Sequence, residues 1–149
     1  MKKKILFIIV DRANYGRLFN LIEFMSNKGF DIKTCFTGTT LMEEFGNLAA
    51  NLKKIGYKVD FTCDGEVYGR SHEAMTLTIS KCIEGMTRIY TNYKPNLSII
   101  IGDRYEALGC AIATVYNNIL LAHIQGGEIS GSIDETTRHM ITKMAHIHF

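Results

Sequence analysis

Residues 96–128 read NLSIIIGDRYEALGCAIATVYNNILLAHIQGGE. Leu97–Ile101 and Ile119–Ile124 are continuous apolar runs, the pattern of strands buried on both faces, and Arg104–Tyr116 between them places its apolar residues at helical spacing. Strand, helix, strand in that order means a parallel pair with a helix over it. The alternation extends upstream. Ile5–Val10 is a third buried run, and Ile32–Phe36 and Lys58–Phe61 are shorter and more peripheral. Helical spacing recurs over Gly16–Asn27, Thr40–Lys54, Ser71–Tyr93 and Asp134–His146. Gly29, Gly56 and the Lys94-Pro95 step are helix stops ahead of the next strand, and His146–Phe149 can begin a sixth. The fold class is therefore α/β, a Rossmann-like doubly wound parallel sheet, without internal repeat, low-complexity tract or linker.

Composition narrows the function. The 149 residues are 46% hydrophobic and contain one proline, enough for a single globular domain that buries roughly two-thirds of its unfolded surface. Seventeen basic and 15 acidic residues give a net charge of +2, and only Lys2-Lys3-Lys4 forms a basic run, so nucleic acid is not an expected partner. The opening MKKKILFIIV imitates a secretory signal, but Asp11 and Arg12 interrupt it after six apolar residues, short of the ~7–15 of a signal core. No stretch reaches the ~18–20 apolar residues of a membrane span. A soluble, cytoplasmic protein is expected. Cys35, Cys63, Cys82 and Cys110 are scattered without CxxC spacing, which gives neither a zinc site nor a disulfide framework.

In a sheet of order 3-2-1-4-5, ligands bind beyond the carboxyl ends of the strands where the order reverses. That crevice lies between Asp11-Arg12-Ala13-Asn14-Tyr15-Gly16 and Gly102-Asp103-Arg104, with the loop after Ile124 beside them. The first loop lacks GxGxxG, the second strand ends in Cys35-Phe36-Thr37-Gly38 without an acid, and GxxxxGK[ST] is missing. Dinucleotide dehydrogenases and P-loop enzymes are thereby disfavoured. Several acids in these loops fit helix caps: Asp103 with Glu106, and Ser132 with Glu135. Capping leaves Asp134 and Glu128 unexplained. Arg138 stands one turn after Asp134 and can pair with it or hold an anion. Acids in a first helical turn also compete with phosphate for the positive end of the dipole, so this loop suits acid–base chemistry better than a backbone phosphate cradle.

Gly102-Asp103-Arg104-Tyr105-Glu106-Ala107-Leu108, His123-Ile124-Gln125-Gly126-Gly127-Glu128, Gly131, Ile133-Asp134-Glu135, Arg138-His139, Thr142-Lys143 and His148-Phe149 together resemble the hydrolysing UDP-N-acetylglucosamine 2-epimerases of sialic acid biosynthesis. Asp11-Arg12-Ala13-Asn14-Tyr15 and Tyr68-Gly69-Arg70-Ser71 agree with it. The resemblance implies the two-Rossmann (GT-B) architecture, with residues 1–149 as its amino-terminal domain and much of the UDP site in a second half. It further implies a reaction without metal or other cofactor: UDP is eliminated across C1–C2 of the sugar, and water adds to the 2-acetamidoglucal with inversion at C2 to release N-acetylmannosamine. By the same resemblance Asp103 and Asp134 fall on catalytic acids, Arg12 and Arg138 lie near the nucleotide sugar, and His123 stands at the substrate cleft. Gln125, a further substrate-binding candidate, departs from the family, several of whose members carry Glu there; an amide cannot take up a proton, so either Glu128 or Asp103 assumes that catalytic role or this branch uses a different set. A related branch acts on UDP-2,4-diacetamido-2,4,6-trideoxy sugars. A UDP-sugar is the expected ligand and a homo-oligomer the expected state at full length.

Plainer readings stand beside these. His139 and His146 share a polar stripe with Glu135, and surface histidines are more often solvated than metal ligands. His123, ending a buried strand, also fits a satisfied core histidine, His72 a loop exposed to solvent, and Met75, Met86, Met140 and Met144 core filling. The alternative to an epimerase domain is a nucleotide-sugar-binding module without turnover.

Overall fold

The computed structural model describes every residue except Met1, Glu66, Tyr68 and Arg70, so two residues of the Tyr68–Ser71 motif lie outside the described residues. Among the described residues, six parallel strands alternate with five α-helices. They are β1 (Lys4–Ile9), α1 (Arg12–Asn27), β2 (Asp31–Thr37), α2 (Leu48–Lys54), β3 (Phe61–Cys63), α3 (His72–Asn92), β4 (Leu97–Ile101), α4 (Tyr105–Tyr116), β5 (Leu120–Ile124), α5 (Ile133–Met144) and β6 (Ile147–His148). The strand order is β3-β2-β1-β4-β5-β6. Register runs Ile5↔Ile32 toward β2 and Ile5↔Leu97 toward β4, and the order reverses between β1 and β4.

Burial on both faces explains the continuous apolar runs. Leu6, Ile8 and Val10 of the first strand segment face one core with Cys82, Met86 and Tyr90 of α3, Ala107 and Cys110 of α4 and Ile141 of α5. Ile5, Phe7 and Ile9 face the other, with Leu18 and Ile22 of α1 and Leu52 of α2. Helices α3 and α4 approach so closely that a Cβ on Gly109 would stand 2.6 Å from the Ile79 carbonyl oxygen and 2.8 Å from Cys82 Cβ. Beneath them the Tyr90 hydroxyl meets Ser98 Oγ at 2.9 Å and Thr114 Oγ1 at 2.7 Å. Thr114 spends its proton on the Cys110 carbonyl, so Tyr90 donates to Thr114 and Ser98 donates to Tyr90, which satisfies the buried chain. The four cysteines, scattered in sequence, are all buried free thiols. Burial pushes the Cys35 thiol well above its ordinary range.

Three expectations about elements are corrected. The first helix begins at Arg12 rather than Gly16, because Asp11 caps it by accepting the Asn14 N–H at 2.7 Å. Thr40–Lys54 is not one helix. Two single-turn 3₁₀ helices interrupt it: Gly38–Leu41 ends at the extended Met42, Glu43–Phe45 ends at Gly46 with φ of 81°, and Asn47, with φ of 34°, then caps α2. Met140 is 42% exposed and fills no core, unlike Met86. Among the described residues no helix is long and apolar enough to cross a membrane.

Candidate functional site

The first turns of α1 and the loops after β4 and β5 converge beyond the strand ends, enclosing a polar cleft of about 320 Å³ at the reversal point. Asp11, Ala13, Asn14 and Arg17 line it from α1, Gly102, Asp103 and Arg104 from the loop after β4, Gln125 and Glu128 from the loop after β5, and Arg138 from α5. A larger groove of about 670 Å³, lined by Tyr15, Phe19, Leu52, Ile55 and Tyr57 with Gly16 and Gly56, offers apolar surface without a charged group. The smaller cleft gathers the charged groups.

At its centre Arg138, only 7% exposed, bonds the Asp103 carboxylate through Nη2 and the Glu128 carbonyl oxygen through Nη1 at 2.7 Å. One guanidinium thus ties the loops after β4 and β5 to α5. Two capping assignments change as a result. Asp103 does not cap α4, whose N-cap residue is Arg104, with no side-chain bond to the helix's first N–H groups. Glu106, fully buried, bonds Arg104 through Nε at 3.0–3.1 Å and Nη2 at 2.6 Å instead of reaching back to a cap. Nor does Arg138 pair with Asp134, since its nitrogens are committed to Asp103 and Glu128. Ser132 caps α5 by accepting the Asp134 N–H at 3.3 Å, as its sequence position suggests. Glu135 reaches back beyond the cap to accept the N–H groups of Ser130 and Gly131 at 2.7 and 2.6 Å. Those bonds, Gly131 foremost, hold its carboxyl below the ordinary glutamate range.

The other candidates fall in distinct places. Gln125 lines the cleft with φ of 61°, an uncommon conformation for a residue with a side chain, and its Oε1 accepts from Arg17 Nη1 at 2.7 Å. The Glu128 side chain is exposed at the cleft. Arg12 is exposed at the start of α1, and Asp134 is half-buried at the second position of α5; neither is part of the lining. His123 is fully buried below the cleft, Nε2 at 2.8 Å from the Gly102 carbonyl oxygen and Nδ1 at 3.0 Å from Thr142 Oγ1. Burial holds its imidazole below the ordinary histidine range, against the bond to Gly102. His146 is not merely solvated, since its Nδ1 accepts the Leu121 N–H at 3.2 Å. His72 and His139 are exposed. No cluster of three or more His, Cys, Asp or Glu side chains among the described residues is arranged to hold a metal ion.

Sequence reasoning missed Arg17 and the role of Asn14. Ala13, Asn14 and Arg17 stand at i, i+1 and i+4, one face of a helix, a signal that becomes readable once the helix starts at Arg12. Asn14 is 4% exposed, and its Oδ1 finds no partner among the described residues. Arg17, which lines the cleft, and Arg12, exposed at the start of the same helix, make no ion pair among those residues.

Fold and cleft together define an α/β domain with a polar cleft at the switch point of a doubly wound sheet, carrying carboxylates and guanidinium groups side by side. The sequence profile of the UDP-N-acetylglucosamine 2-epimerase family matches residues 23–149, and the chain belongs to that family. It is 31% identical over 150 residues to the UDP-N,N'-diacetylbacillosamine 2-epimerase (hydrolyzing) of Legionella pneumophila, covering 100% of this chain and 40% of the relative. It is 31% identical over 147 residues to the UDP-N-acetylglucosamine 2-epimerase of Neisseria meningitidis, covering 98% of this chain and 38% of the relative. A solved UDP-GlcNAc 2-epimerase from Neisseria meningitidis bound to UDP-GlcNAc superposes with a TM-score of 0.81 at 18% identity, over 98% of this chain and 40% of that one. The shared architecture is that of the amino-terminal half of the GT-B epimerases. The chain spans about two fifths of the length of the relatives it matches.

Proposed function

We propose that this chain supplies the acid–base wall of a hydrolysing UDP-N-acetylglucosamine 2-epimerase, with a second α/β half closing over the cleft. The observation that carries the reading is the Asp103–Arg138–Glu128 junction at the strand ends, next to the α1 amino terminus, where Arg17 lines the cleft without an ion pair among the described residues. Loss of UDP across C1–C2 needs a base for the weakly acidic C2 proton and positive charge for the departing diphosphate. Asp103 and Glu128 offer carboxylates at the cleft, and Asp134 offers a third from the helix that carries Arg138. Arg12, Arg17 and the helix dipole favour the diphosphate. Water then adds to the glucal double bond while a second acid returns a proton to C2, giving N-acetylmannosamine. Gln125 cannot move a proton, so on this reading it orients Arg17 and the sugar, and Glu128 takes the exchange that a glutamate performs in other members.

A second substrate, a UDP-2,4-diacetamido-2,4,6-trideoxyhexose, is supported by the likeness to the Legionella pneumophila enzyme. Titration of the ¹⁵N-labelled chain with either sugar nucleotide tests the site. Shifts confined to Asp11–Arg17, Gly102–Arg104, Gln125–Glu128 and Arg138 are expected. Shifts centred on Phe19, Leu52, Ile55 and Tyr57 of the apolar groove would reject it.

A further inference from the structure

From the contacts of the buried imidazole we infer that His123 is a positioning residue, holding Asp103 and Arg138 in register without touching the ligand. Gly102 precedes Asp103 in the chain, and Thr142 follows Arg138 by one helical turn on α5. The imidazole bonds both, Gly102 through Nε2 and Thr142 through Nδ1. A closed ring results: Asp103 to Gly102, to His123, to Thr142, along one turn to Arg138, and back to Asp103 through the ion pair.

The chemistry of the ring fixes its protons. A carbonyl oxygen only accepts, so Nε2 carries the hydrogen toward Gly102, and the Nδ1 lone pair accepts from the Thr142 hydroxyl. Thr142 differs here from Thr76, Thr87, Thr91 and Thr114, each of which donates to the carbonyl four residues back in its own helix. Its hydroxyl bonds across to the strand instead. A Cβ at Gly126 would lie 2.6 Å from Thr142 Oγ1 and 3.0 Å from His123 Nδ1, so the loop bearing Gln125 and Glu128 passes directly over the bond and needs glycine there. An apolar side chain at 123 would fill the same space but leave the Gly102 carbonyl without its donor. Only the label of Asp103 as an acid–base group rests on the proposed function; the ring itself does not.

NMR of the ligand-free chain tests the inference. In the parent, His123 is expected to show a protonated Nε2 and an unprotonated Nδ1, and the Arg138 Nη protons to be resolved because both ends of the guanidinium are held. Thr142→Val keeps the side-chain shape and removes the hydroxyl, so the resolved Arg138 signals should be lost while those of Arg104, held by Glu106, persist. Thr142→Ser restores the hydroxyl and should restore them. His123→Leu should reproduce the Thr142→Val result. Arg138 signals unchanged in both Thr142→Val and His123→Leu, or an unprotonated Nε2 in the parent, would overturn the inference. Loss of the Arg104 signals as well would make the role merely structural and overturn it equally. Since no substrate is present, failure here leaves the sugar-nucleotide reading intact, and failure to bind a UDP-sugar leaves this result intact.

Discussion

Replacing Arg138 by methionine removes both clamps of the cleft while keeping an unbranched side chain of similar length. The Arg138 side chain is 8% exposed and that of Asp103 is 26% exposed, so the pair lies between the buried and surface limits. Breaking a fully buried pair costs ~3–5 kcal/mol, most of it from the stranded charge. Asp103 keeps a quarter of its surface in water and recovers part of that, and the Glu128 carbonyl loses a single charge-assisted bond. The expected cost is about 2–3 kcal/mol, within the range for hydrogen bonds to charged groups. For a domain of this size that lowers Tm by roughly 4–12 °C. With a urea slope near ~2 kcal/mol/M, the midpoint falls by about 1 M. Asp103→Asn should destabilise less, and the double variant should cost at least ~1 kcal/mol less than the sum of the two single ones, because the groups share one interaction. Urea unfolding followed by circular dichroism measures all three. An Arg138→Met cost within ~0.5 kcal/mol of zero, or strict additivity, would refute the clamp.

Gly109→Ala should destabilise by about 2 kcal/mol although alanine is the better helix former, because its Cβ meets α3 backbone; Gly16→Ala, with nothing within 4 Å, should stabilise by ~0.5–1 kcal/mol, both read by the same unfolding assay. Glu135 has its carboxyl depressed below the ordinary 4.5, so its contribution is complete above that pH and is lost as pH falls through the lower folded midpoint. Amide shifts of Ser130 and Gly131 should titrate at that lower midpoint and stop titrating in Glu135→Gln; a midpoint at or above 4.5 contradicts the loop geometry. Asp134→Asn, in a chimera continued by the carboxy-terminal part of the Neisseria meningitidis relative, should lower turnover by ~100-fold or more with UDP affinity little changed. If, as proposed, a second half closes the cleft, the 149-residue chain alone should release no UDP or N-acetylmannosamine above background, because positioning worth up to ~7–11 kcal/mol would then need both walls.

The sequence disclosed the sheet because β1, β4 and β5 are buried on both faces over most of their length and are therefore continuous apolar runs broken only by Ser98 and His123 inside the sheet. It also disclosed the reversal point, and with it the loops that line the cleft. Contacts between those loops were not legible. Asp103 and Glu106 have capping-box spacing, yet Asp103 turns to Arg138, 35 residues away, and Glu106 to Arg104, two residues away. Local spacing gives no sign of the competing long-range partner, which was strong enough to replace the cap. The start of α1 was obscured by Gly16, whose open surroundings impose no break. Arg17 was hidden with it, since only a helix running from Arg12 turns that side chain toward Gln125. The four cysteines carry no spacing signal because two strands, β2 and β3, and two helices, α3 and α4, each bring one into the same core.

A proton NMR time course of UDP-N-acetylglucosamine in deuterated buffer with the chimera, run beside its Asp103→Asn variant, tests the central claim most directly. The account predicts UDP and N-acetylmannosamine with deuterium at C2 from the chimera, and at least ~100-fold slower appearance of both from the variant. Release of N-acetylglucosamine with its C2 proton retained, or turnover unaffected by Asp103→Asn, would contradict it.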